Sequence, residues 1–237
     1  IFRHPDRDFA TTHVYEFGAI DNPTNTIAAA DAMARWVRHA LDEIRDGRPF
    51  TDSETGPIHS YKDLGITLPE VFDLNYFRNM SWAHLASGGC GGGMRWPNRH
   101  PHALTPAMRH AQGVMADFLR LIDWRNLASR NISAEIVADP DDLLAYGCGD
   151  ESQAVAWVLR DRQAMESCGD LPFRPLLKGA ALQLPAMGRG RYVVTCLETH
   201  NGHILAEGPV ECDGSPLRLE LPAFRHDLAI AVTPAVG

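Results

Sequence analysis

Residues 48–59 read RPFTDSETGPIH. The stretch begins as a strand, with Phe50 and Thr51, and then delivers two acids, Asp52 and Glu54, just before a Thr-Gly-Pro turn. Side chains two apart on a strand share a face, so both carboxyl groups point the same way. A carboxylate at a strand end can serve as base, nucleophile or hydrogen-bond acceptor. For Asp52 the residues support acceptance alone. His13 and Tyr15 share a face by the same rule, and both can hydrogen-bond an acid; the bland alternative is a satisfied core pair. The other candidates are weaker. His100 and His102 in RHPH, residues 99–102, are two imidazoles in a loop, too few for a metal site, and His59 reads as solvated. The five cysteines are odd in number and form no CxxC, which argues against zinc and against a full disulfide framework; one pair plus free thiols stays open. No metal or other cofactor is called for. The glycine run around Cys90 has the Gly-x-Cys-x-Gly form of a nucleophile elbow, but an elbow needs a strand before it and a helix after it. Here a helix-like segment precedes, and Met-Arg-Trp-Pro follows.

The elements that must position these residues alternate through the first half. FATTHVYEF (9–17) is β-branched and aromatic and reads as a strand. Residues 24–47 read as a helix, with Ile27, Met33, Val37, Leu41 and Ile44 largely on one face and Gly47 as terminator. RPFTDSE (48–54) reads as the next strand. Residues 74–88 read as a second helix with Phe77, Met80, His84 and Leu85 in a stripe, 89–96 as a short glycine-rich strand, and 105–124 as a third helix capped by Thr105. Strand and helix in alternation imply parallel strands with crossover helices. After about residue 130 short strands take over: 154–161, 179–186, 191–199, 203–211, 216–224 and 227–233, some separated by Asn201-Gly202 and Asp213-Gly214 turns. This spacing predicts an antiparallel β-sandwich.

The 237 residues are 45% hydrophobic, enough for a real core in one or two domains. The net charge of −8 without a basic block argues against nucleic acid as a partner. No apolar run approaches the roughly 18 residues of a membrane span. The chain opens on Ile1, with no leader-like segment. That start reads as a processed end, a fragment or an omitted beginning.

Together the motifs resemble the C-terminal part of a clan A retaining glycoside hydrolase of the family 5 kind. The resemblance lies in His13-Val14-Tyr15 on one strand and Glu54-Thr55-Gly56 on the next. It continues through Asn79, Trp82 and Ser87-Gly88 to Met94-Arg95-Trp96, and ends with Ile122-Asp123-Trp124 and the closing LPAFRHDLAIAV. Pro97-Asn98-Arg99 departs from the family, which has an acid after that tryptophan. The resemblance implies an α/β fold: the last three strands, about the sixth to eighth, of a (β/α)8 TIM barrel in residues 1–127, then a β-sandwich domain in 128–237. It implies Glu54 as nucleophile, with His13, Tyr15 and Trp96 binding substrate. The acid/base glutamate sits on the fourth barrel strand and would come from an N-terminal portion or companion chain. The substrate would be an oligo- or polysaccharide, and a secreted or periplasmic location is favoured. The alternative is a non-catalytic structural or carbohydrate-binding subunit of a larger assembly.

Overall fold

Residues Ala10–Val14 (β1) and Phe50–Thr55 (β2) pair in parallel, with the helix Thr26–Ile44 (α1) between them in the chain. The computed structural model describes residues 4, 6–20, 25–44, 46–56, 70–92, 104–160 and 175–235. Helix α1 starts where Asn25 accepts the Ala28 N–H on its side-chain oxygen (3.0 Å), an N-cap that relieves one of the unpaired donors of the first turn. Ile27, Met33, Val37 and Ile44 are buried along its expected face, with Ala40 buried and Leu41 only partly so. It packs against the helix Glu70–Ala86 (α2), which buries Tyr76, Phe77, Met80, Trp82 and Leu85. Asn79 donates from Nδ2 to the Thr26 hydroxyl at 3.2 Å, and the Tyr76 hydroxyl donates to the Ile20 carbonyl at 2.5 Å.

The expected strand at 89–96 differs in the part the structure describes. Gly88 closes α2, and residues 89–92 form a bend and turn; residues 93–96 lie outside the described residues. The turn still meets the sheet, because the Cys90 N–H donates to the Phe50 carbonyl at 2.7 Å. A helix at Pro106–Leu119 (α3) follows, shorter than the sequence pattern suggests, with Met108, Val114, Met115 and Phe118 buried. The chain divides into two compact units, the first running through Arg109 and the second beginning at His110, within α3.

The second unit is built from antiparallel strands: Arg130–Asn131 (β3), Val137–Asp139 (β4), Leu143–Gly149 (β5), Ala154–Arg160 (β6), Ala181–Ala186 (β7), Gly190–Leu197 (β8), Ile204–Cys212 (β9), Pro216–Glu220 (β10) and Asp227–Pro234 (β11). They form a six-stranded sheet ordered β3-β5-β6-β11-β8-β9 and a three-stranded sheet ordered β10-β7-β4. One core draws on both, including Val158, Leu228 and Ile230 from the larger sheet and Leu182, Leu184, Leu217 and Leu219 from the smaller. Alternation explains β10: Leu217 and Leu219 are buried while Arg218 and Glu220 are exposed. The molecule is thus mixed α/β, with a parallel strand pair and helices first and antiparallel sheets second.

Candidate functional site

Parallel pairing brings the C-terminal ends of β1 and β2 together, with His13 opposite Glu54 and Val14 opposite Thr55. The Tyr15 hydroxyl donates to Glu54 Oε1 at 2.6 Å. His13 Nδ1 lies 3.5 Å from the same oxygen. The Glu54 side chain is 21% exposed, so it is held by neighbours yet reachable from solvent. Burial, then the hydrogen bond to Glu54, pushes the Tyr15 phenol well above the usual tyrosine range. Tyr15 therefore stays a proton donor, and Glu54 is presented as its acceptor.

The pairing is not regular. Thr12 faces Asp52 and His13 faces Glu54, so Ser53 is an extra residue on β2. Bulges of this kind re-aim side chains and recur beside active sites. Three contacts hold it. The Ser53 hydroxyl donates to the Thr12 carbonyl (3.2 Å), the Glu54 N–H donates to Asp52 Oδ1 (3.3 Å), and the Thr55 hydroxyl donates to the Val14 carbonyl (2.8 Å). Asp52 is fully buried. Burial pushes its carboxyl group up to about 7, and the Glu54 charge adds to this against the pull of the Glu54 and Val14 N–H groups. The expectation of Asp52 as a hydrogen-bond acceptor matches the contact it makes.

Two supports for the site have no site role in the sequence pattern: Glu16, and His84, which the pattern places only in a helical stripe. Glu16, next to Tyr15, accepts from Arg35 Nη2 (2.9 Å) and Trp36 Nε1 (2.7 Å) on α1. These two bonds outweigh its partial burial and hold the carboxylate below its usual range. They tie the backbone just after Tyr15 to the helix. An acid beside the tyrosine and an Arg-Trp pair on the next helix were the available signal. The second support is His84 on α2, completely buried. Its Nε2 accepts the Asp52 N–H (2.9 Å), which leaves the proton on Nδ1, donated to the Gly91 carbonyl (2.8 Å). Burial lowers its pKa to about 4. A Cβ at Gly89 would sit 2.3 Å from His84 Cε1, so the backbone passes over the ring only because residue 89 is glycine.

Cys90 follows directly on that close passage. Its thiol is pushed up by burial, against the opposing Phe50 hydrogen bond, which is the reverse of what a nucleophile needs. Among the described residues Cys90, Cys196 and Cys212 are free thiols. Among the described residues no cluster suits a metal. Among the described residues no helix is long and apolar enough to cross a membrane. Trp96, His59, His100, His102 and Cys168 lie outside the described residues.

No protein-family model matches the sequence, and no curated protein matches it. A solved structure described as a glycoside hydrolase matches over 98% of this chain and 53% of its own, with a TM-score of 0.53 at 11% identity. The fold resembles that of a glycoside hydrolase. A family 5 glycoside hydrolase from Bacteroides vulgatus gives a TM-score of 0.48 at 9% identity, over 85% of this chain and 44% of its own. A GH30 endoxylanase from Clostridium papyrosolvens gives 0.45 at 11% identity, over 96% and 49%. This chain spans about half the length of the glycoside hydrolase it matches best among these three.

Proposed function

We propose that the chain carries the nucleophile half of a retaining β-glycoside hydrolase. Residues 1–127 would be the last part of a TIM-barrel catalytic domain and 128–237 an appended β-sandwich domain. The observation that carries the reading is the Tyr15–Glu54 hydrogen bond at the C-terminal end of a parallel strand pair. Barrel active sites sit at that end of the strands. In a retaining enzyme one carboxylate attacks the anomeric carbon while a second acid, about 5–5.5 Å away, protonates the leaving oxygen. Glu54 has the partial exposure for attack. The Tyr15 proton orients it and stabilises its charge. His13 can contact the second acid or a sugar hydroxyl, and Trp96 can offer an apolar face to a pyranose ring.

The second acid is assigned to a polypeptide segment carrying the first five barrel strands, either a companion chain or an N-terminal portion. Asp52 is not that acid, since it is buried and bonded to the Glu54 backbone.

The test is Glu54→Gln in the complete assembly, assayed on aryl β-glycosides. Turnover should fall by several orders of magnitude with the fold intact. Azide should rescue Glu54→Ala, which leaves room for a small anion, better than the glutamine variant. Near-normal activity in Glu54→Gln would remove Glu54 as nucleophile. A complete assembly that cleaves no glycoside would favour a non-catalytic carbohydrate-binding or structural subunit.

A further inference from the structure

We infer that Asp52 is the positioning residue of the Glu54 site: its buried carboxyl group closes a turn through the Glu54 N–H, fixes the Ser53 bulge, and so aims Glu54 at Tyr15. The functional consequence rests on Glu54 being the working carboxylate; the geometry does not. An aspartate that accepts the N–H two residues on makes an Asx turn. Such a turn inside a strand forces the chain out of regular pairing, and the ladder here skips Ser53 immediately after Asp52. Regular pairing would set Ser53 opposite His13 and carry Glu54 one position on, with its side chain turned to the other face. The bulge instead leaves Glu54 level with His13, where both His13 and Tyr15 reach its Oε1.

Asp52 is itself fixed. Its N–H is held by His84 Nε2 from α2, and its side chain is fully buried. Oδ2 has no hydrogen-bond partner among the described residues. A buried acid that has backbone N–H groups for partners and leaves Oδ2 without one is a costly core element. Apolar packing would fill the same space at less cost, so its presence points to the geometry it imposes. Asp52 touches no reacting atom in this arrangement and acts only through the aim of Glu54.

The experiment compares Asp52→Asn, Asp52→Ser and Asp52→Ala in two measurements. Asparagine keeps the accepting oxygen, serine makes the same turn more weakly, and alanine cannot make it. The first measurement needs no substrate: the Cζ resonance of Tyr15 in protein labelled with [13C]tyrosine, identified among the five tyrosines by its loss in Tyr15→Phe. It should stay at the wild-type position in the asparagine variant, shift partway in serine, and move to the position of a tyrosine without a carboxylate partner in alanine. The second is kcat and KM on an aryl β-glycoside in the complete assembly. The alanine variant should lose about a hundredfold in kcat, the scale of a small misplacement of a reacting group, with KM little changed. The asparagine variant should recover most of that loss. A folded Asp52→Ala with the wild-type Tyr15 resonance overturns the inference. If the alanine variant does not fold, equal Tyr15 shifts in the serine and asparagine variants overturn it instead. If wild type cleaves no glycoside, the glycosidase reading fails while the resonance series still decides the role of Asp52.

Discussion

Asp52 and Glu54 are two acids two residues apart in opposite surroundings, one fully buried and the other 21% exposed. The contrast leads to a stability prediction. The folded Asp52 carboxyl group is raised from 3.8 to about 7, chiefly by burial. The stability it contributes is therefore fully present below about pH 4 and is lost as pH rises toward 7. Asp52→Asn cannot ionise, so it should unfold at nearly the wild-type temperature at pH 4 and above it at pH 8. The difference should approach about 4 kcal/mol at most, from roughly three pH units at 1.36 kcal/mol each. Thermal melts at the two pH values check this, and an asparagine variant less stable than wild type at pH 8 would contradict it. As residues at the ends of two parallel strands, Glu54, Tyr15 and His13 were legible in the sequence, although it is the bulge that turns Glu54 to the face of His13. The bulge was not. The string Thr51-Asp52-Ser53-Glu54 reads equally well as an unbroken strand, and the contacts of the Asp52, Ser53 and Thr55 side chains decide otherwise.

At the scale of elements, one histidine joins three pieces of the first unit: α2, which carries it, β2 through the Asp52 N–H, and the turn through the Gly91 carbonyl. A ring accepting at Nε2 cannot be protonated there without losing the bond to β2. Burial lowers its pKa from 6.5 to about 4, so its stabilising contribution is complete above about pH 6.5 and disappears as pH falls through 4. His84→Gln should flatten acid destabilisation of the first unit between those values, by about 3 kcal/mol at most, read from melts across that range. Gly89→Ala tests the same junction sterically. The ring is tethered at both nitrogens and cannot easily yield to a Cβ 2.3 Å away, so overpacking should cost about 1–3 kcal/mol. That lowers the melting temperature by roughly 5 °C or more; an unchanged melt would show that the turn moves freely. The same physics explains two misread elements. Residues 89–92 were expected to begin a strand, yet they form a bend and turn in which Gly89 passes close over His84. Strand β5 has a weak sequence pattern because Gly147 and Gly149 interrupt it. Any Cβ there would lie 2.5 Å from Ile136 Cδ1 or the Gln153 carbonyl oxygen, so close approach of neighbours requires both glycines.

At the scale of the whole molecule, the parallel pair is the part that least resembles a finished structure. Among the described residues β1 pairs with β2 alone, and two strands by themselves are marginal in water. Phe9 and Phe17, which flank β1, are 58% and 86% exposed. Parallel sheets are ordinarily covered on both faces and extended at both edges, and an open edge with apolar flanks invites another strand. The solved glycoside hydrolase that shares the fold is about twice as long as this chain. We therefore expect the outer edge of β1 to receive the preceding strand of a barrel, from a longer form of the same polypeptide or from a companion of about 200–300 residues. Protein isolated from its native source, run on a denaturing gel and by light scattering, distinguishes these. A longer polypeptide or a second band in fixed ratio supports barrel completion, and adding that segment to the 26.1 kDa chain should produce glycosidase activity that neither piece has alone. The new contact should bury an apolar area typical of an obligate interface, above about 2,000 Å², and protect the Phe9 and Phe17 backbone from hydrogen exchange. A native protein that is a folded 26.1 kDa monomer with no associated chain would contradict the split site, because Glu54 would then have no segment from which to draw its second acid.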